Sequence, residues 1–174
     1  MDTAALRAKY RPDDVRVLFV GESPPAGGTF FYAADSKLYV ATRAAFETGV
    51  PELLVDAQFL DDFKALGCFL DDLCLEPINH LKGTRALVQQ RHDSRDSGER
   101  PLARRIRQTA PLAVVVAMKG IESHVRSAMD ASRVTIRSTR AFAFPARPEH
   151  VKSYISELSQ YLVELRDLGI LRRS

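Results

Sequence analysis

Glu22 stands in a turn suited to chemistry. Residues 15–25 read Val-Arg-Val-Leu-Phe-Val-Gly-Glu-Ser-Pro-Pro, an apolar run that passes directly into a glycine, an acid, a hydroxyl and two prolines. A carboxylate and a hydroxyl at such a turn can orient a water molecule or favour a developing positive charge. Gly27, Gly28, Thr29, Phe30, Phe31 and Tyr32 follow, pairing glycines that tolerate close approach with rings that can lie against a planar group. Other residue types argue against alternatives. His80, His92, His124 and His150 never pair at i,i+4 with a glutamate between them, so no metal site is expected. Cys68 and Cys74 are too few for a four-cysteine iron-sulfur or zinc site or for a disulfide scaffold, and they fit a reduced, cytoplasmic protein.

The elements that must position this turn follow from patterning. Val15, Val17, Leu18, Phe19 and Val20 suit a strand buried on both faces, and the turn falls where such a strand leaves a parallel sheet, the edge at which ligands bind. Residues 3–10 predict a short helix before Pro12. Ser36 opens a second helix that carries Leu38, Val40, Ala44, Ala45 and Phe46 and stops at Gly49. A third helix is expected over 56–66, with Phe59, Leu60 and Phe63 inward, and a second strand over 68–75. Residues 82–100 are polar and read as a loop leading into a helix that begins near Pro101. A third strand over 113–118, a helix through Met129, a fourth strand around 134–136 and a long helix over 148–168 complete the chain. Strands alternating with helices imply a single α/β domain spanning 1–174. Its expected form is a three-layer α/β/α sandwich around a central, mainly parallel sheet of about four strands.

Composition sets the outer limits. The 174 residues are 45% hydrophobic and 27% charged, which suits one globular domain with a sizeable core. A net charge of +3 permits a polyanionic partner without requiring one. Arg91, Arg95, Arg100, Arg104, Arg105 and Arg107 gather positive charge, but Asp93, Asp96 and Glu99 interleave with them, and a solvated face is the expected role. The amino-terminal stretch lacks a signal-peptide core, and no window reaches the roughly 18 apolar residues of a membrane span.

Three pieces in order carry a family resemblance. Gly21-Glu22-Ser23-Pro24 after the first strand resembles the first motif of the uracil-DNA glycosylase superfamily, in particular the branch with Gly-Glu-Ala-Pro-Gly. Gly28-Thr29-Phe30-Phe31 resembles that branch's Gly-x-Pro-Phe, whose ring stacks on the extruded base. Residues 114–125, Val-Val-Val-Ala-Met-Lys-Gly-Ile-Glu-Ser-His-Val, are similar to the superfamily's strand, glycine turn and helix.

The resemblance implies a monofunctional DNA glycosylase that hydrolyses the N-glycosidic bond of uracil or another deaminated base, with no cofactor, no metal and no membrane. Glu22 would organise the water, with a solvated loop acid or a helix cap as its other reading. Ser23, where other branches carry Asp, Asn or Ala, would position water by its hydroxyl. Gly21 and Pro24 would line the pocket. Phe31 is favoured as the stacking ring by the Gly28-x-x-Phe31 spacing, although Gly27-x-x-Phe30 fits as well, and a core position for both rings is the other reading. Counting back from Pro77 puts Asp71 at the position that reads the base edge, with Asp72 as the other register. Lys119 and Arg147 would approach phosphates of a damaged or deaminated DNA.

Several positions depart from the pattern. Phe144-Pro145-Ala146 occupies the place of a His-Pro-Ser loop, His150 is expected as a helix first-turn residue, and the cluster cysteines of the resembling branch are absent. Two other readings stand beside the glycosylase: a weakly active or inactive relative that binds DNA, and a hydrolase of free nucleosides or nucleotides.

Overall fold

A strand with no polar face needs cover on both sides, and β1 (Val17–Gly21) has it: every residue is buried. In the computed structural model, which describes residues 2–173, β1 lies between β2 (Cys68–Asp72) and β3 (Ala113–Val116). Val17 is level with Cys68 on one side and with Ala113 on the other, and both pairings are parallel. β4 (Ser138–Ala141) adds in parallel to β3, giving the order β2-β1-β3-β4. The chain thus moves outward from β1 to β2, returns across the sheet to β3, and moves outward again to β4. This reversal opens a crevice at the carboxyl ends of β1 and β3, where open α/β sheets take their ligands.

Two helix pairs form the outer layers of a three-layer α/β/α sandwich. α2 (Lys37–Gly49) packs on α6 (Pro148–Asp167), joined by a buried hydrogen bond of 3.0 Å between the Thr42 and Tyr154 hydroxyls. α4 (Arg85–Thr109) packs on α5 (Glu122–Ser132). The short α3 (Phe59–Ala65) lies against β2, and α1 (Thr3–Lys9) sits at the amino-terminal margin. The ends obey local chemistry: Ser36 caps α2 by accepting from Tyr39 N, and Thr84 caps α4 by accepting from Leu87 N. Among the described residues no helix is long and apolar enough to cross a membrane.

Two elements differ from their sequence pattern. Residues 85–100 are helical, not a loop, because the buried face of α4 runs Arg95, Gly98, Leu102, Ala103 and Ile106. Those positions have helical spacing, but the first two are an arginine and a glycine, so the apolar signal begins only at Leu102. Pro101 consequently lies inside the helix and not at its start. The fourth strand is at 138–141 and not at 134–136. Val134 and Ile136 pack against the core on the approach to it, while the half-buried Ser-Thr-Arg-Ala sequence forms the edge strand.

Gly98 decides how near α4 comes to the sheet. A Cβ there would meet the Leu73 carbonyl oxygen at 2.7 Å and its carbon at 3.2 Å. Gly98→Ala is therefore expected to lower the unfolding free energy by about 1–2 kcal/mol through overpacking, even though alanine is the better helix former by about 1 kcal/mol. A urea titration showing equal or greater stability would mean that α4 has room to withdraw.

Candidate functional site

The turn after β1 is held by the segment that leaves β2. Leu73 N donates to Gly21 O at 2.8 Å and Cys74 N donates to Glu22 O at 2.9 Å. Ser23 Oγ accepts from Ile78 N at 3.2 Å, and Asn79 Oδ1 accepts from Ala26 N at 2.9 Å. Residues 21–26 are thus a braced loop, and the Ser23 hydroxyl is one of the braces.

The aromatic residues that follow are anchored through Tyr32. Its hydroxyl accepts from Leu70 N at 2.6 Å and donates to Leu70 O at 3.0 Å, satisfying backbone groups of the edge strand β2. Burial raises the Tyr32 pKa well above the ordinary tyrosine value, so the phenol remains a donor. Phe30 and Phe31 flank this anchor. Phe31 packs against Tyr32, Tyr39 and Phe63, and Phe30 packs edge-on against Tyr32, with the Arg7 guanidinium 5.6 Å from its ring centre. Both rings adjoin the cleft but are only 1% and 3% exposed, so they are part of the core and offer the cleft little surface.

The cleft itself measures about 750 Å³ and opens at the switch point between β1 and β3. Its floor includes Gly21, Pro24, Phe30, Phe31, Leu70 and Asp72, and its rim includes Arg91, Lys119, Phe144 and His150. Of the two β2 acids, Asp72 lines it and Asp71 does not. Asp71 is a bracket instead: it accepts from Arg105 Nε at 2.6 Å, from Arg7 Nη1 at 3.4 Å and from Asp72 N at 2.8 Å. Asp72 Oδ2 accepts from Arg7 Nη2 at 2.5 Å. Its Oδ1 has no hydrogen bond among the described residues and lies over Gly21, where a Cβ would come within 2.5 Å of it. A glycine at the end of β1 is what leaves room for this oxygen. Burial pushes the Asp72 carboxyl up to about 7 against the pull of Arg7.

Glu22 is 8% exposed and enclosed by arginines. Arg91 Nε and Arg95 Nε each donate to Oε1 at 2.8 Å, Arg91 Nη2 also donates to Oε2, and Arg95 Nη2 also donates to Oε1. Burial pushes the carboxyl pKa up, but the hydrogen bonds from Arg91 and then Arg95, with their charges, outweigh it and hold the group below its ordinary value. So engaged, Glu22 is a poor proton acceptor for water. The sequence pattern places Arg91 and Arg95 on a solvated face, whereas in the structure both turn inward to Glu22. The one signal for them is their i,i+4 spacing, which aims both at one carboxylate once 85–100 is helical.

Lys119 is exposed at the cleft, whereas Arg147 is exposed beside a separate depression of about 360 Å³ at the start of α6. His150, in the first turn of α6, reaches the cleft. Phe144 is 38% exposed on the rim. Away from the cleft, one group among the described residues has metal-ligating types together. Asp96, Glu99 and His124 bring ligating atoms within 4.8 Å of one another, and His124 Nδ1 is paired with Glu99 at 2.8 Å, joining α4 to α5. No protein-family model matches the chain, and no curated protein is significantly similar to it.

Replacing Glu22 tests the cluster. Glu22→Gln leaves Arg95, itself 9% exposed, without a counter-charge, and the expected loss of stability near pH 7 is about 3 kcal/mol. Because the folded-state pKa is lowered, the Glu22 contribution is complete above the ordinary value of 4.5 and is lost as pH falls through the lowered value. The difference between wild type and variant in chemical denaturation should accordingly shrink below pH 4.5. A difference that persists unchanged into acid would assign it to packing and not to charge.

Proposed function

We propose that the chain is a monofunctional DNA glycosylase that hydrolyses the N-glycosidic bond of uracil or another deaminated base. The observation that carries this reading is a cleft that combines two aromatic rings with a single open carboxyl oxygen, at the switch point of a parallel sheet. An extruded base offers two recognition surfaces, its faces and its hydrogen-bonding edge, and these groups match them. Phe30 and Phe31 would contact a face, and Asp72 Oδ1 would meet the edge. A volume of about 750 Å³ accommodates a base with its sugar.

Hydrolysis breaks the bond between C1′ and the base nitrogen, sends the electron pair to the base, and forms a C1′–oxygen bond to water, whose proton is released. Positive charge near the departing base is the help this cleft supplies. Arg91 and Lys119 line it, and four guanidinium groups (Arg7, Arg91, Arg95, Arg105) face the three buried acids Glu22, Asp71 and Asp72, so that one positive charge is in excess even with Asp72 ionised. Lys119 and Arg147, both exposed, would meet phosphates. No lysine takes the role of a Schiff-base nucleophile in this scheme. Buried free thiols at Cys68 and Cys74 suit a reduced, cytoplasmic setting. A second reading is favoured by one observation: with both Glu22 oxygens engaged by Arg91 and Arg95, the site binds DNA without cleaving it.

The test is alkali-revealed strand cleavage of oligonucleotides carrying uracil, hypoxanthine, xanthine or a mismatched thymine. Cleavage is expected at a deaminated base, falling by roughly 10- to 100-fold in Asp72→Ala as one charged hydrogen bond to the base is lost. Absence of cleavage with enzyme in excess, on single and double strands, would overturn the glycosylase, and retained oligonucleotide binding would then favour the second reading.

A further inference from the structure

Arg7 belongs to none of the sequence motifs, yet it touches three residues of the cleft region. Its Nη2 donates to Asp72 Oδ2 at 2.5 Å, its Nη1 to Asp71 Oδ1 at 3.4 Å, and its guanidinium carbon lies 5.6 Å from the centre of the Phe30 ring. It comes from α1, a seven-residue helix without a buried residue. That helix is followed by Tyr10, stacked on Tyr32 with ring centres 5.7 Å apart, and Lys64 Nζ donates to Lys9 O at 2.8 Å.

We propose that Arg7 is a specificity-determining positioning residue: by occupying Oδ2 and holding Asp72 as a carboxylate, it leaves Oδ1 as a lone acceptor that admits bases presenting a ring N–H at the edge it meets (N3 of a pyrimidine, N1 of a purine) and rejects those presenting a lone pair there. The inference rests on the cleft taking a nucleobase. Its chemistry is that of the lactam edge. Uracil presents N3–H and hypoxanthine N1–H, which donate to a carboxylate, whereas cytosine N3 and adenine N1 are acceptors and would set lone pair against lone pair. With Oδ2 taken, Asp72 cannot turn its second oxygen to a wrong edge. A neutral Asp72 would lose the discrimination, because its O–H can donate to cytosine N3.

The charged and titratable groups around Asp72 are few. Arg7 comes from α1, Asp71 from β2 and Arg105 from α4, while the Tyr32 hydroxyl and the Cys74 thiol stay protonated through burial. β1 contributes only Gly21 at this point. Of these, Arg7 exerts the strongest pull toward the ionised form, opposing burial. Removing it leaves two adjacent buried acids and favours the neutral carboxyl. Since the Asp72 carboxyl sits at about 7, the discrimination should be present above that value and fade as pH falls through it.

The experiment uses the full chain and three bases whose N1 carries a methyl group in place of the deoxyribose, so that no N1–H can stand in for N3–H: 1-methyluracil, 1,3-dimethyluracil and 1-methylcytosine, called uracil, 3-methyluracil and cytosine below, with binding measured by calorimetry or ligand-observed NMR. At pH about 8.5, uracil should bind roughly 10-fold or more tightly than the other two, the scale of a hydrogen bond to a charged group. That preference should disappear in wild type near pH 5.5, about 1.5 units below the Asp72 midpoint. Arg7→Met should lose the preference at the higher pH, and Arg7→Lys, which keeps the charge, should retain most of it. Equal binding of uracil and 3-methyluracil by wild type, no binding of uracil, or an undiminished preference in a folded Arg7→Met would each overturn the proposal. Oligonucleotides separate it from the glycosylase reading. Equal cleavage at uracil and N3-methyluracil would sink the Arg7 role and leave the glycosylase standing, whereas selective uracil binding without cleavage would do the reverse.

Discussion

Three carboxylates are buried where β1 and β2 end, and the surrounding structure answers to that fact. Glu22, Asp71 and Asp72 are 8%, 4% and 4% exposed, and a buried charge is tolerated only when it is paired and hydrogen-bonded. Pairing here comes from distant segments: Arg7 from α1, Arg91, Arg95 and Arg105 from α4. The acids therefore dictate where two helices dock. α4 is brought down on the sheet end by three arginines along 15 residues, and Gly98 lets its backbone approach Leu73 closely enough for them to reach.

The same arrangement divides labour among the acids. Glu22 is saturated by donors and serves as the bolt between the β1 turn and α4. Asp71 is saturated too, and it steadies Asp72 through the backbone. Of the three acids Asp72 alone keeps an oxygen without a hydrogen bond among the described residues, and it alone of the two β2 acids lines the cleft. A polar atom left open in a largely apolar cleft, beside buried aromatic rings, is the feature on which the proposed recognition of a base edge rests.

On the other side of the cleft the constraint is apolar. Tyr32 closes the edge of β2 through its hydroxyl and stacks against Tyr10 and Phe69, so the loop carrying Phe30 and Phe31 is fixed by a backbone bond and by ring packing together. The rings are consequently preorganised. They are also nearly enclosed, so in the proposed reading they offer a base little contact surface and discrimination falls to the polar edge.

Much of this was legible in the residues. The apolar runs at β1 and β3, the cap at Ser36, the helix end at Gly49, and the alternation of strands with helices suffice for a parallel sheet in a three-layer sandwich, because burial on both faces and crossover handedness leave few other solutions. The strand-exit turn from Gly21 to Pro24 could likewise be placed at the ligand edge from pattern alone. What could not be read was any feature that depends on which side chain meets which across long separations. Residues 85–100 look like a loop because their buried positions are Arg95 and Gly98, whose inward places make sense only once Glu22 and Leu73 are known to lie beneath them. Asp71 and Asp72 are indistinguishable by type and adjacent in sequence, and only the strand register, with Gly21 level with Asp72, decides which one lines the cleft. Arg7 carries no local signal at all. Local periodicity encodes the scaffold, whereas charge pairing between residues 34 to 73 positions apart encodes the site, and such pairing exists only after the chain has folded.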